Sequence, residues 1–337
     1  MDLNTFWFIL IVILFIGFFF LEGFDYGVGI LLPFVGRNEK ERSVVISSIG
    51  PFWDANEVWL LTAGGAIFAA FPNWYATMFS AFYLALVAML VALILRGVAF
   101  EFRNREENET WRKFWDWAIF GGSLVPALLW GVAIANVLAG IKIDAKKQYI
   151  GTFFDLLTPY TLLGGLAFVA LFALHGGIFL TLKTEGEILE RAYKFTWYAY
   201  VPAVVLVAGF VIAGYFATDI FKGLGINPGI PAIGAGAALL ASGYFVKIRR
   251  SGWGFILTGL TIVLATLAMF QGLYPRVLIS SLDPKNSLTV YNASSSDYTL
   301  GVMSWVAISF VPIMLLYQAW NYWVFRKRVS IQSHGHL

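Results

Sequence analysis

The 337-residue chain contains no cysteine and only three histidines, and 13% of its residues are charged. Without cysteine, this chain has no disulfides, no thiolate metal sites and no iron–sulfur clusters. His334 and His336 follow the last apolar run and read as solvated, which leaves His175, in "FALHGGIF", as the single intramembrane histidine. A lone histidine in a bilayer is more often hydrogen-bonded to a neighbouring helix than bound to a metal. One histidine and scattered methionines do not supply the paired axial ligands of a multi-haem site. Strict alternation over ten-residue segments is also missing, which argues against a transmembrane β-barrel. There is no low-complexity tract and no linker long enough to separate soluble domains, so residues 1–337 read as one integral membrane domain.

Apolar length is what the chain has in abundance: 59% of residues are hydrophobic, in repeated runs of about 20, enough to cross a bilayer as helices. The fold class is therefore an all-α polytopic membrane protein with about nine spans. They are drawn at 6–33, 51–71, 75–100, 115–140, 159–182, 195–217, 229–247, 253–274 and 299–325, and their order suggests two four-helix bundles followed by one peripheral helix. The first run lacks a basic leader and a small-residue cleavage site before Glu22, so it reads as a retained span. Of 23 Lys and Arg residues, sixteen lie in loops and tail on one side of these spans and six on the other, with Arg96 inside the third span. Positive residues favour the cytoplasm, which puts the N-terminus outside and the C-terminus inside. The net charge of +3 reflects this orientation and implies no nucleic-acid partner.

Against that background, intramembrane carboxylates need a reason. Span 1 runs inward, and a rise of about 1.5 Å per residue puts Glu22 and Asp25 roughly 24 to 28 Å from its outer end, in the cytoplasmic third. Span 2 returns from Pro51, so Asp54 and Glu57 in "GPFWDANEVWLLTAGG" lie at a similar depth. In Glu22-x-x-Asp25 and Asp54-x-x-Glu57 the i, i+3 spacing puts both carboxyls on one helix face, where repulsion and desolvation oppose ionising both. Carboxyls poised in this way can carry protons. Asp54 and Glu57 equally suit a first helical turn, where the helix dipole stabilises acids without any function. Glu22 and Asp25 sit near the C-terminal part of their span, where the dipole disfavours anions unless "GFDYGVG" breaks the helix. Arg96, Glu101 and Arg103 offer charges on the same side, so a structural ion-pair network is the plain alternative. Asp116, in "FWDWAIF", reads as a first-turn acid. Pro126 and Pro312 fall inside spans 4 and 9 and should kink them.

Four stretches together resemble a known family: "LEGFDYGVGILLPFVGRNEKER" (21–42), "GPFWDANEVWLLTAGGAIFAAFP" (50–72), "LRGVAFEFR" (95–103) and "WDWAIFGGSLVPALLWGVAIAN" (115–136), with weaker likeness in "GLYP" and "SWVAISFVPIMLLYQAWNYWVF". The family is subunit II of the cytochrome bd quinol oxidases. The resemblance covers essentially the whole chain; motif order and spacing fit best in the first 140 residues, and the segment around 218–228 is shorter than in longer members. It implies a haem-free, noncatalytic chain in the bacterial cytoplasmic membrane, with no cofactor or metal of its own, beside a subunit I that carries two b-type haems and one d haem. The complex would oxidise quinol and reduce dioxygen to water with cytoplasmic protons. The family can also include a small single-span accessory subunit and a quinone held structurally in subunit II, within surrounding lipid. The aspartate of the family's Trp-Asp-x-Asn motif, here Asp54, is associated with a proton path to the haems, and Asp25, Glu22, Trp53, Asn56 and Glu57 follow by neighbourhood. Two competing readings are a secondary transporter with a buried charge site and a purely structural assembly subunit.

Overall fold

Helix α1 (Leu3–Val35) is the axis around which the other spans pack. In the computed structural model, which describes residues 2–222 and 226–330, it is followed by α2 (Glu39–Ile49), α3 (Trp53–Ala70), α4 (Pro72–Ala81), α5 (Tyr83–Phe102) and α6 (Glu109–Ala139). Then come α7 (Pro159–Lys183), α8 (Gly186–Ala217), α9 (Gly229–Lys247), α10 (Ser251–Leu273) and α11 (Asp297–Val324). Among the described residues, eight of these, α1 and α5 to α11, are long and apolar enough to cross a membrane. The second expected span, 51–71, is α3, which lies along α1 but carries Asp54, Asn56 and Glu57 within its 18 residues and so falls short in hydropathy. The third expected span is divided, α4 giving way to α5 at Phe82.

Helix starts extend beyond the apolar runs because polar residues cap them. Asn108 Oδ1 accepts from the Thr110 and Trp111 amides, so α6 begins at Glu109, six residues before its apolar run. Asp2 caps α1 through the Thr5 amide at 2.7 Å, and Ser296 caps α11 through that of Thr299. Helix α2 is absent from the sequence expectation. Asn38 caps it, and Val44, Val45, Ser48 and Ile49 form one buried stripe against α1, so a short amphipathic helix replaces a loop.

The α1, α3, α4–α5 and α6 helices form one group and α7 to α10 the other, with α7 packed on both α1 and α6. Backbone contact makes this join possible: a Cβ at Gly27 would lie 1.9 Å from the Phe172 carbonyl oxygen, and one at Gly176 2.4 Å from Gly27. Around that contact Phe18 and Phe19 pack on Trp130 and Phe168, with ring centroids 5.3 to 5.6 Å apart. The expected peripheral helix is α11, of which only Leu300 and Ser304 are buried. Pro126 and Pro312 lie inside α6 and α11, as Pro33 and Pro202 do inside α1 and α8.

One end of the helix array carries α2 and is laced by ion pairs, including Arg191 to Glu41 at 2.6 Å and Arg112 to Glu39. Burial pushes the Glu41 carboxyl up, but the Arg37 amide and the Arg191 guanidinium outweigh this and hold it below the usual carboxylate range. The tail returns to the same end, where Arg328 donates to the Thr184 carbonyl at 2.7 Å. At the opposite end, β1 (Arg276–Leu278) pairs antiparallel with β2 (Leu288–Thr289), and Ile141 bridges to Ser280. Arg276 holds Asp219 there through two bonds of 2.7 and 2.9 Å.

Candidate functional site

Glu22, Asp25 and Tyr26 lie on a stretch of α1 that stays helical through "GFDYGVG" and is fully buried by the surrounding helices. Arg96, from the buried face of α5, reaches them: its Nη1 is 3.2 Å from Glu22 Oε2 and 3.6 Å from Glu57 Oε2 on α3, and its guanidinium lies 4.9 Å from the Tyr26 ring centre. Asn56, also buried, donates to Asp25 Oδ2 at 2.6 Å. The two sequence motifs therefore converge, each i, i+3 pair sending at least one carboxyl into a single cluster. Three carboxyls face one guanidinium, so full ionisation would leave two uncompensated negative charges. Glu22 Oε1, Asp25 Oδ1, Tyr26 OH, Glu57 Oε2, and Arg96 Nε and Nη2 are buried without a hydrogen-bond partner. Six such atoms in one place are unusual for a core that is only structural.

Asp54 and Trp53 stand outside this interior. Asp54 is exposed in the first turn of α3, and half-buried Trp53 stacks on Phe100 at 4.8 Å. Glu57, one turn on, keeps 21% of its side chain accessible while reaching Arg96, so α3 passes from surface to interior within four residues. The other two expected counter-charges lie elsewhere. Arg103 donates to Asp116 at 2.6 Å and to Ser43 at 2.9 Å, and Glu101 is exposed. Asp116 is not a first-turn acid, because α6 starts seven residues earlier; Arg103 and Arg42, the latter at 3.1 Å, hold it.

Sequence reasoning missed the partners supplied by α11. Tyr322 OH and Gln318 Nε2 donate to Asn56 Oδ1 at 2.7 and 3.2 Å, and Trp59 donates to Gln318 Oε1 at 2.8 Å. A signal was present: Gln318 and Tyr322 are i, i+4 polar residues in an apolar run, and so share a helix face.

His175 lies elsewhere. Its Nδ1 is 2.8 Å from Thr258 Oγ1 on α10, and its ring stacks on Phe255 at 4.5 Å with Phe20 and Phe24 beside it. The ring is fully buried among these side chains, with its Nε2 lacking a hydrogen-bond partner. Among the described residues no group of three or more His, Cys, Asp or Glu side chains is placed to hold a metal ion. His334 and His336 lie outside the described residues.

The family model for cytochrome bd terminal oxidase subunit II matches residues 3–325. The chain belongs to that family. Cytochrome bd ubiquinol oxidase subunit 2 of Bacillus subtilis is 45% identical over 329 residues, covering 98% of this chain and 97% of that protein. Cytochrome bd-I ubiquinol oxidase subunit 2 of Escherichia coli K12 is 38% identical over 365 aligned positions, covering 97% of this chain and 95% of the relative. The solved bd oxidase of Geobacillus thermodenitrificans shares the fold, with a TM-score of 0.77 at 16% identity over 97% of this chain and 100% of the matched one. A cytochrome bd subunit II is a multi-pass protein of the bacterial inner membrane and works in a terminal oxidase complex beside a subunit I. That membership sets aside the transporter reading.

Proposed function

We infer that this subunit II binds no haem, scaffolds the haem-bearing subunit I and conducts protons from the α2 end of the membrane towards the oxygen-reducing haems. The complex oxidises quinol and reduces dioxygen, the partner carries the two b-type haems and the d haem, and this chain supplies no reacting group. The observation that carries the reading is the buried cluster of Glu22, Asp25, Glu57 and Arg96, which is short of positive charge and reached from exposed Asp54 through partly accessible Glu57. A carboxyl cluster that cannot ionise fully retains a proton to pass on, and its unpartnered oxygens and nitrogens give water places to bridge. An exposed acid such as Asp54 at the margin of a span is costly against lipid, which supports a polar surface of subunit I as its cover. The enclosed His175 ring supports placing the haems in the partner.

In this orientation the α2 end, with most of the basic residues, is cytoplasmic, the N-terminus is outside and the C-terminus inside. The apolar cavity of about 330 Å³ between α7, α8, α9 and α10, lined by Phe168, Val207, Leu239 and Met269, suits the tail of a structural quinone or a lipid. A single-span accessory subunit would complete the assembly.

The test is Asp54→Asn in the purified complex. Oxygen reduction should slow several-fold while the haem spectrum stays intact. Loss of assembled haem, or unchanged turnover, would leave Asp54 with no role in proton delivery.

A further inference from the structure

Four side chains from three helices form a line that ends on Asp25. Trp59 Nε1 is 2.8 Å from Gln318 Oε1, Gln318 Nε2 is 3.2 Å from Asn56 Oδ1, and Asn56 Nδ2 is 2.6 Å from Asp25 Oδ2. A carboxamide turned end for end keeps its shape, so the sense of this line must be settled by donor and acceptor chemistry. An indole N–H donates and cannot accept, so the Gln318 atom facing Trp59 is its oxygen. The Gln318 amino group then faces Asn56, which must meet it with its own oxygen. Only the amino group of Asn56 is left for Asp25. Tyr322, 2.7 Å from Asn56 Oδ1, does not decide the sense, because a hydroxyl donates or accepts equally well. The direction of the whole line is set at Trp59.

We propose that Trp59, acting through Gln318 and Asn56, is a positioning residue that holds Asp25 Oδ2 as an acceptor and so confines any proton on Asp25 to Oδ1. Oδ1 is buried with no hydrogen-bond partner, and is therefore the oxygen free to receive and release a proton. With the line reversed, Asn56 would present its carbonyl, Oδ2 would have to donate, and the proton would be pinned in an O–H···O bond on the α11 side. The fold invests in this geometry. Trp59 sits directly over Gly17 of α1, where a Cβ would lie 2.1 Å from the indole ring. Helix α11, otherwise exposed along its length, is tied down at one end by Trp7 donating to Leu300 O and Ser304 Oγ at 3.1 Å each, and at the other by Gln318, Tyr322 and Asn321. Its inner tie is therefore also the device that orients Asn56.

The consequence for turnover rests on Asp25 carrying protons; the hydrogen-bond sense does not, and the test separates the two. Trp59→Phe keeps an aromatic ring over Gly17 and removes the donor. In the two-subunit complex, redox-induced infrared difference spectra, with Asp25→Asn to assign the band, should show the Asp25 carboxyl C=O stretch at higher frequency in Trp59→Phe than in the parent, because the carbonyl oxygen becomes Oδ1, which has no donor, in place of Oδ2, which accepts from Asn56. Oxygen uptake should fall several-fold at an unchanged haem spectrum. An unaltered Asp25 band in Trp59→Phe overturns the proposal. A changed band with normal uptake upholds the line and overturns the proton-carrying role of Asp25. Gln318→Leu cuts the line without touching Trp59 and should reproduce the band, which carries the test if Trp59→Phe fails to assemble. If Gln318→Leu then leaves the band unaltered, the line does not orient Asn56.

Discussion

Replacing Arg96 by methionine would keep most of its packing volume and remove the guanidinium from among three carboxyls. At 3.2 Å from Glu22 and an effective dielectric of about 20, the gross attraction is about 5 kcal/mol. Desolvation of two fully buried groups offsets much of that attraction in the intact pair. The loss of one partner is costlier than the pair was worth, because Glu22 would be left charged and unpaired, and breaking such a pair costs about 3–5 kcal/mol. Thermal loss of haem absorbance from the purified complex measures the effect. If the barrier to unfolding carries most of the loss, a change of about 3 kcal/mol accelerates decay by roughly a hundredfold. Adding Glu22→Gln to Arg96→Met removes the orphaned charge and should recover most of the lifetime, because residues in direct contact are energetically coupled. The reasoning is refuted if Arg96→Met changes stability by less than about 0.5 kcal/mol, the range of ordinary surface changes, or if the double variant decays as fast as the single one.

Two further outcomes test the outer loops and the helix contacts. Lys142 donates to Asp155 at 2.8 Å and the Thr152 amide adds a second bond, which together lower the Asp155 carboxyl to about 2. A depressed folded value means that this contribution is full above the ordinary carboxylate range and is lost as pH falls through about 2. Protection factors for amide exchange in residues 142–155, taken against the intrinsic exchange rate at each pH, should therefore stay high at pH 5 and fall towards pH 2, and Asp155→Asn should show low protection at both. Gly27→Ala should abolish assembly of the complex, since its Cβ would overlap the Phe172 carbonyl, whereas Gly64→Ala meets open space and should purify at the parental yield. Equal yields would remove the α1–α7 backbone contact as a requirement.

The spans were legible because bilayer thickness imposes a length on every apolar run, and α9 falls on its expected range of residues. What hydropathy could not show are helical turns that are polar. The Asn108 cap and the amphipathic face of α2 lie outside the apolar runs, so the first turns of α6 and the whole of α2 were invisible to that criterion. Helix α3 presents the opposite case. It was readable as a span from its flanking Pro51 and apolar tail, while its own Asp54, Asn56 and Glu57 keep it below the hydropathy of the eight others.

At the site, spacing and side counting brought Glu22, Asp25 and Glu57 to one depth, and Arg96 was recognisable as an intramembrane charge in need of a partner. Their sorting was not recognisable. Whether a first-turn acid points in or out depends on rotation about the α3 axis, which is set by contacts from α1 and α5. By that rotation Glu57 meets Arg96 and Asp54 faces outwards. Arg103 illustrates the same limit: seven residues after Arg96, it lies beyond the cluster, where Asp116 and Ser43 hold it. The contribution of α11 was the least accessible of all. Gln318 and Tyr322 are 262 and 266 positions from Asn56, and their i, i+4 spacing marks a shared polar face in sequence without saying which helix that face meets. Their meaning comes from the indole of Trp59, a donor-only group whose single bond fixes the sense of every amide after it. A tryptophan with no charge of its own thereby determines which oxygen of a buried carboxyl is left free.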